Sequence, residues 1–183
     1  AYAGYKKCFE DGAIISVGCW AHARRKFFEA SEVIAERLQA DYAIEEIQQL
    51  YRIEKIAATM SDEARYYYRK RHARPVLKRF KKWLDNINSF STPKSALGQA
   101  VQYTLNQWQP LSNYLRAGFL KIDNNAAENA IRPIVIGRKN YLFAGSHAGA
   151  ENAAVIYSLI ETCKMHNVNV FQYFQDVLRR LPT

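Results

Sequence analysis

Only one stretch of this chain reads clearly as a β-strand, and that limits what the chain can fold into. Ala13-Ile14-Ile15-Ser16-Val17-Gly18-Cys19 places β-branched residues at strand length, with Gly12 before it and Gly18 near its end. Its unbroken apolar run predicts burial on both faces, as in the inner part of a sheet. One strand makes no sheet, so its partners would have to come from sequence upstream or from another chain. An isolated chain would then be expected to dimerise through that edge. The remaining residues must build their core from helices.

From Trp20 to about Leu38 the spacing turns helical, with Phe27, Ala30, Ile34 and Leu38 recurring every three or four residues. The segment from Ala43 to Met60 continues in that period, with Ile44, Ile47 and Tyr51 in step and Glu45, Glu46 and Glu54 outside. Ser61 is placed to cap a helix whose first turn carries Asp62 and Glu63. Pro75 fits the first turn of a new helix with the stripe Val76, Leu77, Phe80, Trp83, Leu84 and Ile87. Lys78, Lys81 and Lys82 sit off that stripe. Thr92-Pro93 is a cap-plus-first-turn signal for a helix carrying Leu97, Val101, Leu105 and Trp108. Residues 113–122 read as a loop or short strand. No self-similarity at solenoid periods is evident.

After Pro133, Ile134-Val135-Ile136 and Tyr141-Leu142-Phe143 flank Gly137-Arg138-Lys139-Asn140, as a hairpin or an irregular basic loop. Gly145 to Gly149 reads as a turn. Ala150 to Cys163 is apolar nearly all round, which predicts a buried helix. Asn169 is placed to cap a last helix with Phe171, Phe174, Leu178 and Leu181 on one face. Arg179 and Arg180 fall near its end, where cations are favoured.

Charge narrows the class of partner. The 183 residues hold 26 Lys and Arg against 17 Asp and Glu, a net charge of +9. That balance favours a polyanion, most simply nucleic acid, through phosphate neutralisation and counterion release. Three cysteines without framework spacing suit a reducing compartment. No apolar run reaches transmembrane length and no signal-peptide pattern is present. The chain does not begin with Met, which places the natural N-terminus elsewhere. These features point to a cytoplasmic, nucleoid-associated protein of a bacterium, with no membrane partner.

The most informative segment is Asp123-Asn124-Asn125-Ala126-Ala127-Glu128-Asn129-Ala130-Ile131-Arg132-Pro133. Asn125-x-x-Glu128 has capping-box spacing, and Arg132 follows Glu128 by one helical turn, within pairing reach. A purely local role for Glu128, as cap and surface ion pair, is one reading.

The same residues carry a second reading. Asn124 to Pro133 resembles the end of the catalytic domain of insertion-sequence 66 family transposases. So does Asn140-Tyr141-Leu142-Phe143-Ala144-Gly145-Ser146, followed by the run Ala153 to Thr162. Upstream, Gly18-Cys19-Trp20-Ala21-His22-Ala23-Arg24-Arg25-Lys26-Phe27 is similar to a further block of that family, in the same order. The resemblance implies a transposase fragment: the C-terminal part of a ribonuclease-H-like α/β catalytic core with a large helical insertion, mainly α with few strands. It places the last sheet strand in 1–19, the helical insertion in 20–118 and the C-terminal helices of the core in 119–183. It implies that Glu128 is the last member of an Asp-Asp-Glu triad binding Mg²⁺ or Mn²⁺. The second Asp is expected just before Ala1 and the first much further upstream. The implied activity is metal-dependent DNA cleavage and strand transfer by the full-length enzyme, with this fragment inactive alone. Element ends and target DNA are the implied partners, with a homo-oligomer and accessory transposition proteins.

Other constellations compete for the same side chains. His22, Arg24, Arg25 and Lys26 form one basic group that would face DNA, and Arg132 with Arg138 and Lys139 another. The densest run, Arg69-Lys70-Arg71 with Arg74, reads more simply as a solvated helix face. Tyr66-Tyr67-Tyr68 offers stacking surfaces, with at least one ring in the core. Cys19-x-x-His22 and Cys163-x-x-His166 have zinc-ligand spacing, and Cys19 with His22 permits a thiol nucleophile. Asp123 reads as a turn residue or outer acid. The rival from another class is a non-catalytic basic helical DNA-binding or assembly module.

Overall fold

A computed structural model describes residues 14–141 and 143–181. Among the described residues there are helices and no strands, so the chain is mainly α. It divides into two compact units, Ala1–Asn124 and Asn125–Thr183. No described helix is long and apolar enough to cross a membrane.

The first unit contains α1 (Trp20–Ser31), α2 (Arg37–Ala57), α3 (Asp62–Asn88), α4 (Ala96–Asn106), α5 (Trp108–Ser112) and a 3₁₀ turn at Asn113–Arg116. Helix α1 packs on α2 and α4, and α3 closes the array against α2 and α4. Trp20, Phe27, Ile47, Leu50, Phe80, Leu84 and Val101 are fully buried in one core. Each such large side chain contributes roughly 1.5–3 kcal/mol on burial. The Trp20 indole N–H donates to the Leu111 carbonyl at 2.8 Å, so the largest core ring is also satisfied. Phe80 stacks on Trp83 with centroids 5.7 Å apart.

The expected strand is not formed over its described part. Residues 14–19 run irregularly into α1, and Ile14 and Ile15 are about half exposed, not buried on both faces. The backbone of this segment is bonded to loops. Gly18 N–H donates to the Pro110 carbonyl at 2.8 Å, and the Ser16 carbonyl accepts from the Asn113 amide at 2.8 Å. With no neighbouring strand among the described residues, these loop groups satisfy the chain instead. Ala13 lies outside the described residues.

Three boundaries also differ from expectation. Helix α1 stops at Ser31, so Ile34 and Leu38 fall beyond its core face and are 86 % and 80 % exposed. Helix α3 is capped by Ser61 as expected, its hydroxyl accepting from Ala64 N–H at 3.2 Å, but it runs unbroken through Pro75. Interior proline costs about 3 kcal/mol. Pro75 is exposed while Ala73, Val76, Leu77 and Phe80 around it are buried, and that burial outweighs the lost bond. Helix α4 is capped by Ser95, not Thr92, because the chain folds back there. The Thr92 carbonyl lies only 2.1 Å from where a Cβ on Gly98 would sit, so only glycine fits.

Residues 113–122 form the 3₁₀ turn and an irregular segment, held by a buried cation. Arg69 of α3 pairs with Glu54 of α2 at 2.6 Å, with its side chain 1 % exposed. It also donates to the carbonyls of Tyr114, Ala117, Gly118 and Leu120 at 2.8–3.2 Å. The chain passes so close at Gly118 that a Cβ there would overlap the Asp62 carbonyl.

The second unit contains α6 (Asn125–Tyr141), α7 (His147–Met165) and α8 (Val170–Arg180). The expected hairpin or loop after Pro133 is instead the C-terminal half of α6, with Pro133 inside it. Leu142 lies outside the described residues. Gly145 turns the chain at φ +76°, and Ser146 caps α7 by accepting from Gly149 N–H at 3.0 Å. Ile134 and Arg138 of α6 share a hollow of about 210 Å³ with Ala153 and Tyr157 of α7. Asn169 caps α8 as expected, accepting from Gln172 N–H at 3.0 Å. Helix α7 is not the buried helix its composition predicted: Val155 is 60 % exposed, and of its residues only Cys163 is buried. An apolar helix is buried only where other elements cover it. Here α8 lies alongside, with its own Phe171 and Leu178 also open.

Removing one partner of a buried ion pair strands the other charge, at about 3–5 kcal/mol. Arg69→Ala should therefore lower unfolding free energy by that amount in urea titrations. Arg71→Ala, on the exposed side of the same helix, should change it by less than about 0.5 kcal/mol.

Candidate functional site

The last residues of the first unit are held by two contacts. The Ile122 carbonyl accepts from Trp20 N–H at 3.2 Å. One residue on, Asp123 Oδ2 accepts from the Tyr51 hydroxyl of α2 at 3.1 Å. Burial, then the Asp123 carboxylate and this hydrogen bond, push the Tyr51 phenol well above its ordinary range. Asp123 is thus held by a tyrosine just before α6, in irregular backbone, as a turn residue would be.

Helix α6 begins at Asn125. That puts Asn125 at the start of the helix and Glu128 three residues on. Glu128 lies in the first turn and is exposed. A carboxylate there is favoured by the positive end of the helix dipole. Arg132 follows one turn later, also exposed. Arg138 and Lys139 occupy the last turn and are exposed. At 100° per residue, Lys139 returns to within about 20° of Glu128, about 16 Å further along, whereas Arg138 is turned about 80° away. One face of α6 therefore carries Glu128, Arg132 and Lys139.

The other expected group lies on α1 of the first unit. Arg25 is exposed, and His22, Arg24 and Lys26 are half-buried. The Lys26 ammonium sits 5.1 Å from the centre of the Tyr103 ring. Arg24 Nε is buried with no hydrogen-bond partner among the described residues. Cys19 occupies the N-cap position of α1, half-buried. Cys163 is buried near the end of α7, and His166 follows that helix. The two Cys-x-x-His pairs thus belong to different units and supply two ligands each, short of the four a structural zinc site takes. Among the described residues, neither unit by itself gathers three His, Cys, Asp or Glu side chains suited to an ion. Glu128 fits a hard divalent cation as one oxygen ligand of a larger set.

The middle basic run is a solvated face at Lys70, Arg71 and Arg74, as its composition predicted, but Arg69 is the buried cation described above. None of the three consecutive tyrosines is fully buried: Tyr67 is 62 % exposed, and Tyr66 and Tyr68 are half-buried. Tyr51 is the residue that sequence reasoning missed. It sits in step with an apolar stripe, and nothing in that periodicity reveals that its hydroxyl meets an acid 72 positions later.

Residues 1–152 match the profile described as Transposase IS66 family, and residues 158–183 match the IS66 C-terminal element. The chain belongs to the IS66 family of transposases. Similar curated relatives come from Sinorhizobium fredii (strain NBRC 101917 / NGR234). Uncharacterized protein y4hP is 32 % identical over 174 residues, covering 89 % of this chain and 32 % of its own length. Uncharacterized protein y4jD is 34 % identical over 164 residues, with the same two coverages. The chain therefore spans about a third of the length of the curated relatives it matches. No solved structure matches it.

Because the folded Tyr51 phenol ionises at higher pH than the unfolded one, its contribution is complete below about pH 10 and is lost as pH rises beyond that. Tyr51→Phe should lower stability by about 1–2 kcal/mol at neutral pH. It should also flatten the decline in urea midpoint above pH 10.

Proposed function

We propose that this chain is the C-terminal part of a DNA transposase, and that Glu128 is the last metal-binding carboxylate of its catalytic centre. The observation that carries the reading is the family match spanning Glu128, combined with an exposed carboxylate at the start of α6. Two Asp side chains outside this chain complete the triad, on a ribonuclease-H-like core into which 20–118 is inserted and to which 119–183 contributes helices. Divalent Mg²⁺ or Mn²⁺ ions, when bound, stabilise the attacking and leaving oxygens of phosphoryl transfer.

The residues of this chain divide the remaining work. Glu128 offers a hard oxygen donor on a rigid element, at a helix N-terminus that favours negative charge. Arg132 and Lys139, on the same face, hold the phosphates flanking the scissile bond, and Arg138 adds positive potential. His22, Arg24, Arg25 and Lys26 provide a second DNA contact from α1. Tyr51 positions Asp123. The exposed apolar sides of α7 and α8 fit burial against the rest of the full-length enzyme, whose partners are element ends, target DNA, further copies of itself and accessory proteins.

Strand transfer by the full-length enzyme on a donor carrying the element ends is the direct assay. Glu128→Gln should lower the rate by at least about a thousandfold, the several kcal/mol that metal clamping supplies. Near-normal transfer would remove Glu128 from the metal site. The 183-residue chain alone should show no metal-dependent nicking.

A further inference from the structure

Helix α3 carries two populations of cations. Arg65, Arg69, Arg79 and Lys81 are committed to carboxylates: Asp62, Glu54, Glu46 and Asp85 respectively. Arg71, Arg74, Lys78 and Lys82 are exposed and make no ion pair among the described residues, and Lys70 rests on the Tyr66 ring at 4.3 Å.

Four of these five uncommitted cations recur at steps of four, as Lys70, Arg74, Lys78 and Lys82. At that spacing they form one ridge, rising about 6 Å per step and about 18 Å in all. The ridge borders two adjoining hollows. One, of about 770 Å³, is lined by Arg74, Lys78, Lys81, Lys82, Trp108 and Leu115, with Asp85 its sole acid. The other, of about 360 Å³, is lined by Tyr66, Lys70, Arg74, Leu115 and Arg116. Arg74 and Leu115 belong to both, so the two form one trough. Six cations face it against one acid, and that acid is already bonded to Lys81.

We propose that this trough is a sequence-independent docking surface for duplex DNA, gripping the sugar-phosphate backbone through Lys70, Arg74, Lys78, Lys82 and Arg116. These residues are separate from those assigned to the chemistry. Long flexible stems and a linear array suit a repeating polyanion. An acidic protein partner would be expected to meet a central apolar or aromatic anchor, whereas Trp108 is already packed edge-on to Trp20 in the core. The backbone carries no sequence information, so this surface positions DNA without selecting it. The inference rests on the reading of this family member as acting on DNA, yet it invokes neither a metal nor Glu128.

The test is binding of a 20-base-pair duplex of arbitrary sequence to the 183-residue chain in EDTA, by fluorescence anisotropy across a salt series. Replacing Lys70, Arg74, Lys78 and Lys82 together by Ala should weaken binding at least about 30-fold and reduce the log–log salt slope by about 3–4. Replacing Arg52, Lys55, Lys94 and Lys121 by Ala removes the same charge elsewhere on the first unit and should weaken it less than about threefold. Arg at the three lysine positions should restore wild-type binding, which a folding defect would not allow. Equal losses in both quadruple variants, an unchanged slope in the first, or poly-glutamate competing as well as DNA would overturn the assignment. Loss of strand transfer on Glu128→Gln with DNA binding intact would leave it standing. A normal rate there would overturn the metal assignment alone.

Discussion

The buried guanidinium of Arg69 is the contact on which the first unit depends. A charge with 1 % of its side chain exposed is tolerable only when paired and fully hydrogen-bonded. Glu54 supplies the opposite charge, and four carbonyls between Tyr114 and Leu120 take the remaining donors. One side chain thus fixes α2 to α3 and gives an otherwise irregular stretch a single path. Two residues past that stretch, the Ile122 carbonyl meets Trp20 and Asp123 meets Tyr51.

What the sequence made legible was local in origin. Ser61 and Asn169 cap their helices because a side-chain oxygen three residues before an amide satisfies it irrespective of tertiary context. The buried stripe of Val76, Leu77, Phe80 and Leu84 was readable for the same reason, since helical period alone groups those residues. Context decided the rest. Pro75 marks a helix start in isolation, but burial on both sides of it carries α3 through. Gly137 and Pro133 suggested a turn, yet α6 is continuous across both. The apolar run at 14–19 has the composition of a central strand, and without a neighbouring strand its backbone bonds to loops.

At the candidate site, residue identity was legible and partnership was not. The block around Glu128 marked the family, and the family matches agree. The Tyr51–Asp123 contact spans 72 positions and the Arg69–Glu54 pair joins two helices, and no periodicity encodes such meetings. Composition even misassigned Arg69, which sits in the densest basic run yet points inward. Its neighbours Lys70, Arg74 and Lys78 do face solvent, so a single cationic segment serves both the core and the surface. The net charge of +9 is therefore a poor guide to where a polyanion docks until the inward-facing cations are removed from consideration.

The central claim is that the acid opening α6 holds a divalent ion together with carboxylates elsewhere in the full-length protein. Mn²⁺ titration of full-length protein, followed by the loss of the free-ion paramagnetic resonance signal, reads this without any DNA or turnover. The account predicts that Glu128→Gln weakens Mn²⁺ binding by at least about tenfold, while Glu151→Gln, an exposed acid on α7, leaves it unchanged. Equal Mn²⁺ affinity in the wild type and the Glu128 variant would contradict it.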